Sequence, residues 1–221
     1  MKKKFNPFLF FLLIFAIESA TAQKETIDEK AKGILNELSK KTRAYNSIKA
    51  EFDYSIENIK EKISETKKGS LTLKKEKYKF SIAGQEIVSD GKTLWTYIKD
   101  AGEVQIDNAP DSNKVDNSLS PTNIFTVYEK GFKYKWEKEE VREGKTMHII
   151  NLYPIKANEK PYHTIKLFID KNAMEINTVL VLNKDGGKYT YHLTKFETNL
   201  PLKDGDFIFD TSRAKEIIDL R

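Results

Sequence analysis

Ile87-Val88-Ser89-Asp90-Gly91-Lys92-Thr93-Leu94-Trp95-Thr96-Tyr97 is the stretch whose reading decides the fold. Apolar and β-branched residues flank an Asp-Gly pair. That is a strong local hairpin signal, because glycine supplies the positive φ that a turn matching the strand twist requires. Two antiparallel strands and one tight turn follow. The second strand puts Trp95 and Tyr97 on one face and Leu94, Thr96 and Ile98 on the other, so both faces carry apolar groups. A sheet with one wet side does not do this. The second apolar face needs a cover.

Working outward, the same period of two recurs on both sides. Ile48, Ala50, Phe52, Tyr54 and Ile56 alternate with Lys49, Glu51, Asp53, Ser55 and Glu57, which predicts a long strand with one apolar face. Leu71 and Leu73, then Tyr78, Phe80 and Ile82, lead into the hairpin, and Val104 and Ile106 leave it. Short polar turns at 83–85 and 100–102 join these strands into an up-and-down meander. A second series runs through Phe132, Tyr134 and Trp136, Met147 to Tyr153, Ile165 to Ile169, Ile176 to Leu182, and Tyr189 to Phe196. In the Ile176 segment, Ile176, Leu180 and Leu182 form one alternating set and Val179 and Val181 the other, as in a strand covered on both sides. Phe207-Ile208-Phe209 reads as a last short strand before a helical tail.

Two segments break the period. From Thr26 to Tyr45, Ile27, Ala31, Ile34, Leu35, Leu38 and Tyr45 recur at helical spacing, with Thr26 and Glu29 as a capping box. After the turn-rich residues 107–119, Ser120 is a good N-cap, Pro121 suits the first helical position and Gly131 the residue past the end. Ile124, Phe125, Val127 and Tyr128 would be the apolar content of this short helix, which must lie over a face or an edge. The fold class is therefore mainly β (α+β). About eleven strands curl into an incomplete antiparallel β-barrel, with the helices as a lid over either a packed core or an apolar cavity.

Residues 1–22 read as an export signal. Lys2, Lys3 and Lys4 precede an apolar run from Phe8 to Ile17, and Ala20-Thr21-Ala22 matches a signal-peptidase site. Residues 23–221 then form a single domain located in the periplasm. Loss of Lys2, Lys3, Lys4 and Glu18 lowers the formal charge from +5 to +3. So balanced a surface, without an Arg-rich stripe, argues against nucleic acid. The chain has no cysteine, so burial must supply its stability.

The sequence holds no Gly-x-Ser-x-Gly elbow, phosphate-cradling glycine loop or His-Glu-x-x-His pair. His148, His163 and His192 stand in three separate predicted strands, so no metal site or cofactor is expected, and no catalytic residue is assigned. A small lipid hydrolase would need one of these histidines beside a nucleophile.

In order, the features resemble those of the periplasmic outer-membrane lipoprotein carriers, the LolA family. The resemblance rests on Tyr45-Asn46-Ser47-Ile48-Lys49-Ala50-Glu51-Phe52, Gly69-Ser70-Leu71-Thr72-Leu73-Lys74-Lys75, the Ser89-Asp90-Gly91-Lys92-x-Leu94-Trp95-x-Tyr97 hairpin and Phe207-Ile208-Phe209-Asp210. It implies a monomeric carrier, not an enzyme, that shields lipoprotein acyl chains between an inner-membrane release complex and an outer-membrane acceptor. The alternative on the same fold is a lipid-binding or protein-docking sensor module. Carried onto this chain, the lipid-binding wall would comprise Phe52, Tyr54, Leu71, Leu73, Phe80 and Trp95, with Ile124, Phe125 and Tyr128 from the lid. Where the family commonly has an Arg-Pro pair that latches the lid, this chain has Lys75-Glu76, which makes Lys75 the candidate latch.

Overall fold

The computed structural model describes residues 28–110 and 124–221. Its frame is one helix, α1 (Glu29–Arg43), on a twelve-stranded sheet. The first meander comprises β1 (Ile48–Asn58), β2 (Ile63–Lys74), β3 (Lys77–Ile82), β4 (Gln85–Ser89), β5 (Thr93–Ile98) and β6 (Glu103–Asn108). The second comprises β7 (Phe132–Arg142), β8 (Lys145–Pro154), β9 (Tyr162–Asp170), β10 (Glu175–Asn183) and β11 (Lys188–Thr198). A last short strand, β12 (Glu216–Asp219), follows. Antiparallel pairing of β1 with β11 joins the meanders at the centre, giving the order β12-β6-β5-β4-β3-β2-β1-β11-β10-β9-β8-β7. The sheet is open, with β7 and β12 at its edges.

The deciding hairpin forms as expected. Gly91 takes φ +90°, and Asp90 Oδ1 accepts from the amides of Lys92 (2.8 Å) and Thr93 (2.7 Å), which closes the turn. In register, Ile87 faces Thr96 and Val88 faces Trp95, so the two faces separate as the alternation requires. The outer face buries Val88, Tyr97, Val104 and Phe209, with Trp95 and Ala214 packed beside them. Its cover is the C-terminal segment. Arg213 bonds Glu86 at 2.7 Å and lies 5.2 Å from the centre of the Tyr97 ring.

That segment corrects two expectations. Phe207-Ile208-Phe209 is no strand: a 3₁₀ turn spans Asp204–Phe207, and Phe209 packs on the outer face of the sheet. Exposures of 0, 59 and 4% reproduce a strand's alternation without a neighbouring ladder. The tail is not helical either. Glu216–Asp219 pairs parallel to β6, because the free edge of β6 offers hydrogen bonds and Ile217-Ile218 is a β-favouring pair.

α1 is shorter than its apolar stripe predicts. Thr26 lies outside the described residues, and the N-cap is Asp28 rather than the expected capping box: its Oδ1 accepts from the Ala31 amide at 2.9 Å. Its other oxygen accepts from the Trp136 amide (2.8 Å) and so ties the helix to β7. At the opposite end Lys41 pairs with Glu175 (3.0 Å), beside the β9–β10 turn. The helix therefore lies across the β7–β10 half of the inner face. There Ala31, Leu35 and Leu38 join Ile150, Leu152, Ile165, Leu167 and Ile169 in one buried core.

In the expected second helix, Ser120 and Pro121 fall outside the described residues. The remainder is a turn leading into a single 3₁₀ turn, Val127–Glu129, after which Gly131 adopts φ +82°. We call residues 124–130 the lid segment.

Candidate functional site: an apolar cavity under the lid segment

Between the inner face and the lid segment lies a cavity of about 200 Å³. Its walls are Ala50 and Phe52 from β1, Leu71 from β2, Phe80 from β3, Ile87 from β4, Ile176 and Val179 from β10, and Tyr191 and Leu193 from β11. Ile124 and Phe125 line it on the side of the lid segment. The Tyr191 hydroxyl is the sole polar side-chain group among these residues, so the space offers contact to hydrocarbon and little to a charge.

Local geometry keeps the cavity open. Phe52 stands opposite Gly69 in the ladder, and a Cβ on Gly69 would sit 2.4 Å from the Phe52 ring. The glycine thus lets the ring lie flat over β2, where it stacks on Phe80 at 5.9 Å. An isolated glycine inside a strand pattern is the sequence mark of such an approach. On the far wall the β10 ladder shifts between Ile176 and Thr178. This bulge puts Ile176 on the same side as Val179 and Val181, whereas strict alternation pairs it with Leu180 and Leu182.

Of the predicted wall residues, Phe52, Leu71, Phe80, Ile124 and Phe125 line the cavity. Tyr54 lies farther along β1, in a tyrosine group with Tyr191 (4.8 Å) and Tyr189 (6.3 Å). Leu73 packs at the margin of the inner core. Tyr128 is buried in that core, and burial pushes its phenol pKa up. Trp95 is a correction: it stands on the outer face with Val88 and Tyr97. Its neighbour Leu94 is the one that packs toward the inner core. Aromatic size drew attention to Trp95, but strand parity decides the face. Ala50, Ile87, Tyr191 and Leu193 were legible by parity from Phe52 and its partners; Ile176 was not, because the bulge breaks the count.

The latch is also displaced. Lys75 occupies the β2–β3 turn with φ +55° and is exposed. Its neighbour Lys74 reaches the Leu202 carbonyl (2.8 Å) and Asp204 (3.1 Å), tying β2 to the C-terminal segment. The lid segment is clasped instead by α1. Arg43 donates from Nε to Glu129 Oε1 at 3.0 Å and from its Nη2 to Oε2, and the Ser39 hydroxyl also bonds Oε1. Burial works against the Glu129 carboxylate, but these donors prevail and hold its pKa below the ordinary glutamate value. No sequence motif announces a pair 86 residues apart.

The three histidines do not converge. His148 is buried beside Glu139 (3.4 Å), with its pKa lowered chiefly by burial; His163 meets Thr164 (2.8 Å) and His192 meets Thr178 (3.0 Å). Among the described residues no group of three or more His, Asp or Glu could hold a metal ion.

Structural comparison finds similar structures at low identity. An uncharacterised conserved protein from Thermus thermophilus superposes with a TM-score of 0.57 at 10% identity, over 86% of this chain and 99% of that one. A DUF1329 family protein from Desulfovibrio piger gives 0.49 at 12%, over 82 and 97%. A LolA superfamily protein from Nitrosomonas europaea gives 0.43 at 12%, over 81 and 97%. No curated protein matches the sequence. The model of the outer membrane lipoprotein carrier protein LolA matches residues 43–210, a span that includes every strand from β1 to β11 and every wall of the cavity, and the chain belongs to that family.

Proposed function

We propose that the protein is a periplasmic carrier that shelters the acyl chains of lipoproteins in the cavity beneath Ile124 and Phe125 during transfer from the inner to the outer membrane. The observation that carries this reading is an apolar space on the inner face of the sheet, roofed among the described residues by Ile124 and Phe125 of the lid segment. Hydrocarbon placed there would gain dispersion contacts with lining atoms on every side.

Outward movement of the lid segment would widen the way in for an acyl chain, separating Glu129 from Arg43 while leaving the ladder intact. Burying one acyl chain is worth on the order of 10 kcal/mol, so a carrier needs a roof that yields at small cost.

Native mass spectrometry of protein purified from its own cells tests the proposal. The expected result is a co-purifying acylated ligand that is lost when Ile124 and Phe125 are both replaced by Ser. An invariably empty protein with no affinity for fluorescent acyl probes would sink it. A stable protein partner whose binding survives those replacements would favour a docking module on the same fold.

A further inference from the structure

One end of the sheet gathers exposed apolar and basic groups. The β1–β2 hairpin overshoots its neighbour there: β3 pairs with β2 only from Gly69 onward, so residues 63–68 extend beyond it. At the hairpin tip Ile59 is 87% exposed, and Ile155 in the β8–β9 loop is 61% exposed. With Ile63 and Tyr153, this end holds four of the eight exposed large hydrophobic residues among those described.

These groups form one surface. Lys184 in the β10–β11 turn donates to the Ala157 carbonyl (2.6 Å), and its own amide donates to the Pro161 carbonyl (2.9 Å), which fastens that turn to the β8–β9 loop. On the other side a Cβ at Gly186 would lie 4.0 Å from Lys60, so the same turn abuts the β1–β2 tip. Residues 57–68, 155–161 and 184–188 together carry eight lysines against four glutamates and one aspartate. Apolar tips beside an excess of lysines over carboxylates suit the boundary between anionic headgroups and acyl chains, where the lysine stems lie along hydrocarbon while their charges stay in the headgroup layer.

The inner face links this end to the cavity. From Phe52 and Leu193 the ladder steps through Tyr54 and Tyr191 to Ile56 and Tyr189, an apolar and aromatic floor running toward the tip. We propose that the β1–β2 tip, the β8–β9 loop and the β10–β11 turn form a surface that docks onto an anionic lipid membrane, with Ile59 and Ile155 entering its interface. The surface extends the carrier reading, since it would set the cavity floor against a membrane. Its test uses the unloaded protein and is independent of acyl binding.

Sedimentation with vesicles measures the docking. Protein in the form its own cells accumulate, freed of bound acyl ligand, should partition onto phosphatidylethanolamine–phosphatidylglycerol vesicles at low salt and not onto phosphatidylcholine alone. Replacing Ile59 and Ile155 together by Ser should weaken partition about tenfold or more. Each of Lys60→Ser and Lys184→Ser should weaken it roughly fivefold, with a smaller salt dependence. Ile59→Trp, which adds an interfacial aromatic, should strengthen it. Acyl-probe affinity should stay unchanged in all four variants, which separates this surface from the cavity and shows that the variants fold. Equal partition onto both vesicle types, or indifference to the isoleucine replacements, would overturn the proposal. So would binding to native envelope vesicles but not to protein-free lipid, which would indicate a protein receptor. Vesicle binding without acyl-probe binding would keep this surface and refute the carrier reading.

Discussion

The two halves of the inner face differ in what covers them. Over β8 and β9, a fifteen-residue helix presents Ala31, Leu35 and Leu38, and Ile150, Leu152, Ile165, Leu167 and Ile169 beneath it are fully buried. Over β1–β4 and the adjoining β10 and β11, the cover among the described residues is a 3₁₀ turn and its lead-in, and the sheet below lines a cavity. The strands of both halves present aliphatic and aromatic residues with the same period. The cover decides whether the face becomes solid core or hollow, because a long helix interdigitates its stripe with the sheet and a short turn cannot. A carrier needs both states in one molecule: one half holds the fold while the other changes contents.

The largest effect should come from the solid half. Leu152→Ala or Ile165→Ala removes a fully buried side chain and should destabilise the protein by about 2–5 kcal/mol in urea unfolding. A loss below about 1 kcal/mol would show that this half is hollow too, and the comparison would fail.

Next is Gly69→Ala. The added methyl displaces the Phe52 ring from its place over β2. Overpacking of this kind costs about 1–3 kcal/mol, and the displaced ring should fill part of the cavity and lower acyl-probe affinity. Unchanged affinity would mean that the ring turns elsewhere.

Phe125→Ala should split the two readouts. Its stability cost should be smaller than that of Leu152→Ala, since Phe125 already borders free space, while acyl-probe affinity should fall about tenfold or more. Trp95→Ala is the matched control on the outer face: affinity should not change. If both variants lost affinity equally, the assignment of faces would be wrong.

Arg43→Ala should have the smallest effect on stability, under about 1 kcal/mol, because the arginine side chain is 65% exposed. Its signature is kinetic: the acyl probe should leave faster. Protons should act in the same way. The Glu129 pKa is lowered in the folded protein, so its stabilisation is present above the ordinary glutamate pKa and disappears as pH falls through the folded value. Probe release measured on descending through the glutamate range should therefore accelerate in the wild type and stay flat in Glu129→Gln.

Alternation in β1 to β11 and the Asp90-Gly91 turn were sufficient to specify an antiparallel meander, because side-chain period and turn chemistry are local properties. The same parity, extended from Phe52 to Leu71 and Phe80, located three of the nine strand residues in the cavity wall. Trp95 marks where that reading stopped: the hairpin shows two apolar faces, and nothing within it says which one looks inward. The folded chain settles this by laying Phe209 and Arg213 over Tyr97 on one side and α1 with the lid segment over the other. It also sets the Ile176 bulge, the tail strand β12 and the Arg43–Glu129 clasp. Each depends on a partner distant in sequence, and an unpaired ladder edge or a carboxylate awaiting donors leaves no periodic trace in the chain. Local chemistry along the chain was enough for a curved antiparallel sheet with apolar groups to spare. Packing between distant segments determined where those groups close into a core and where they leave a space.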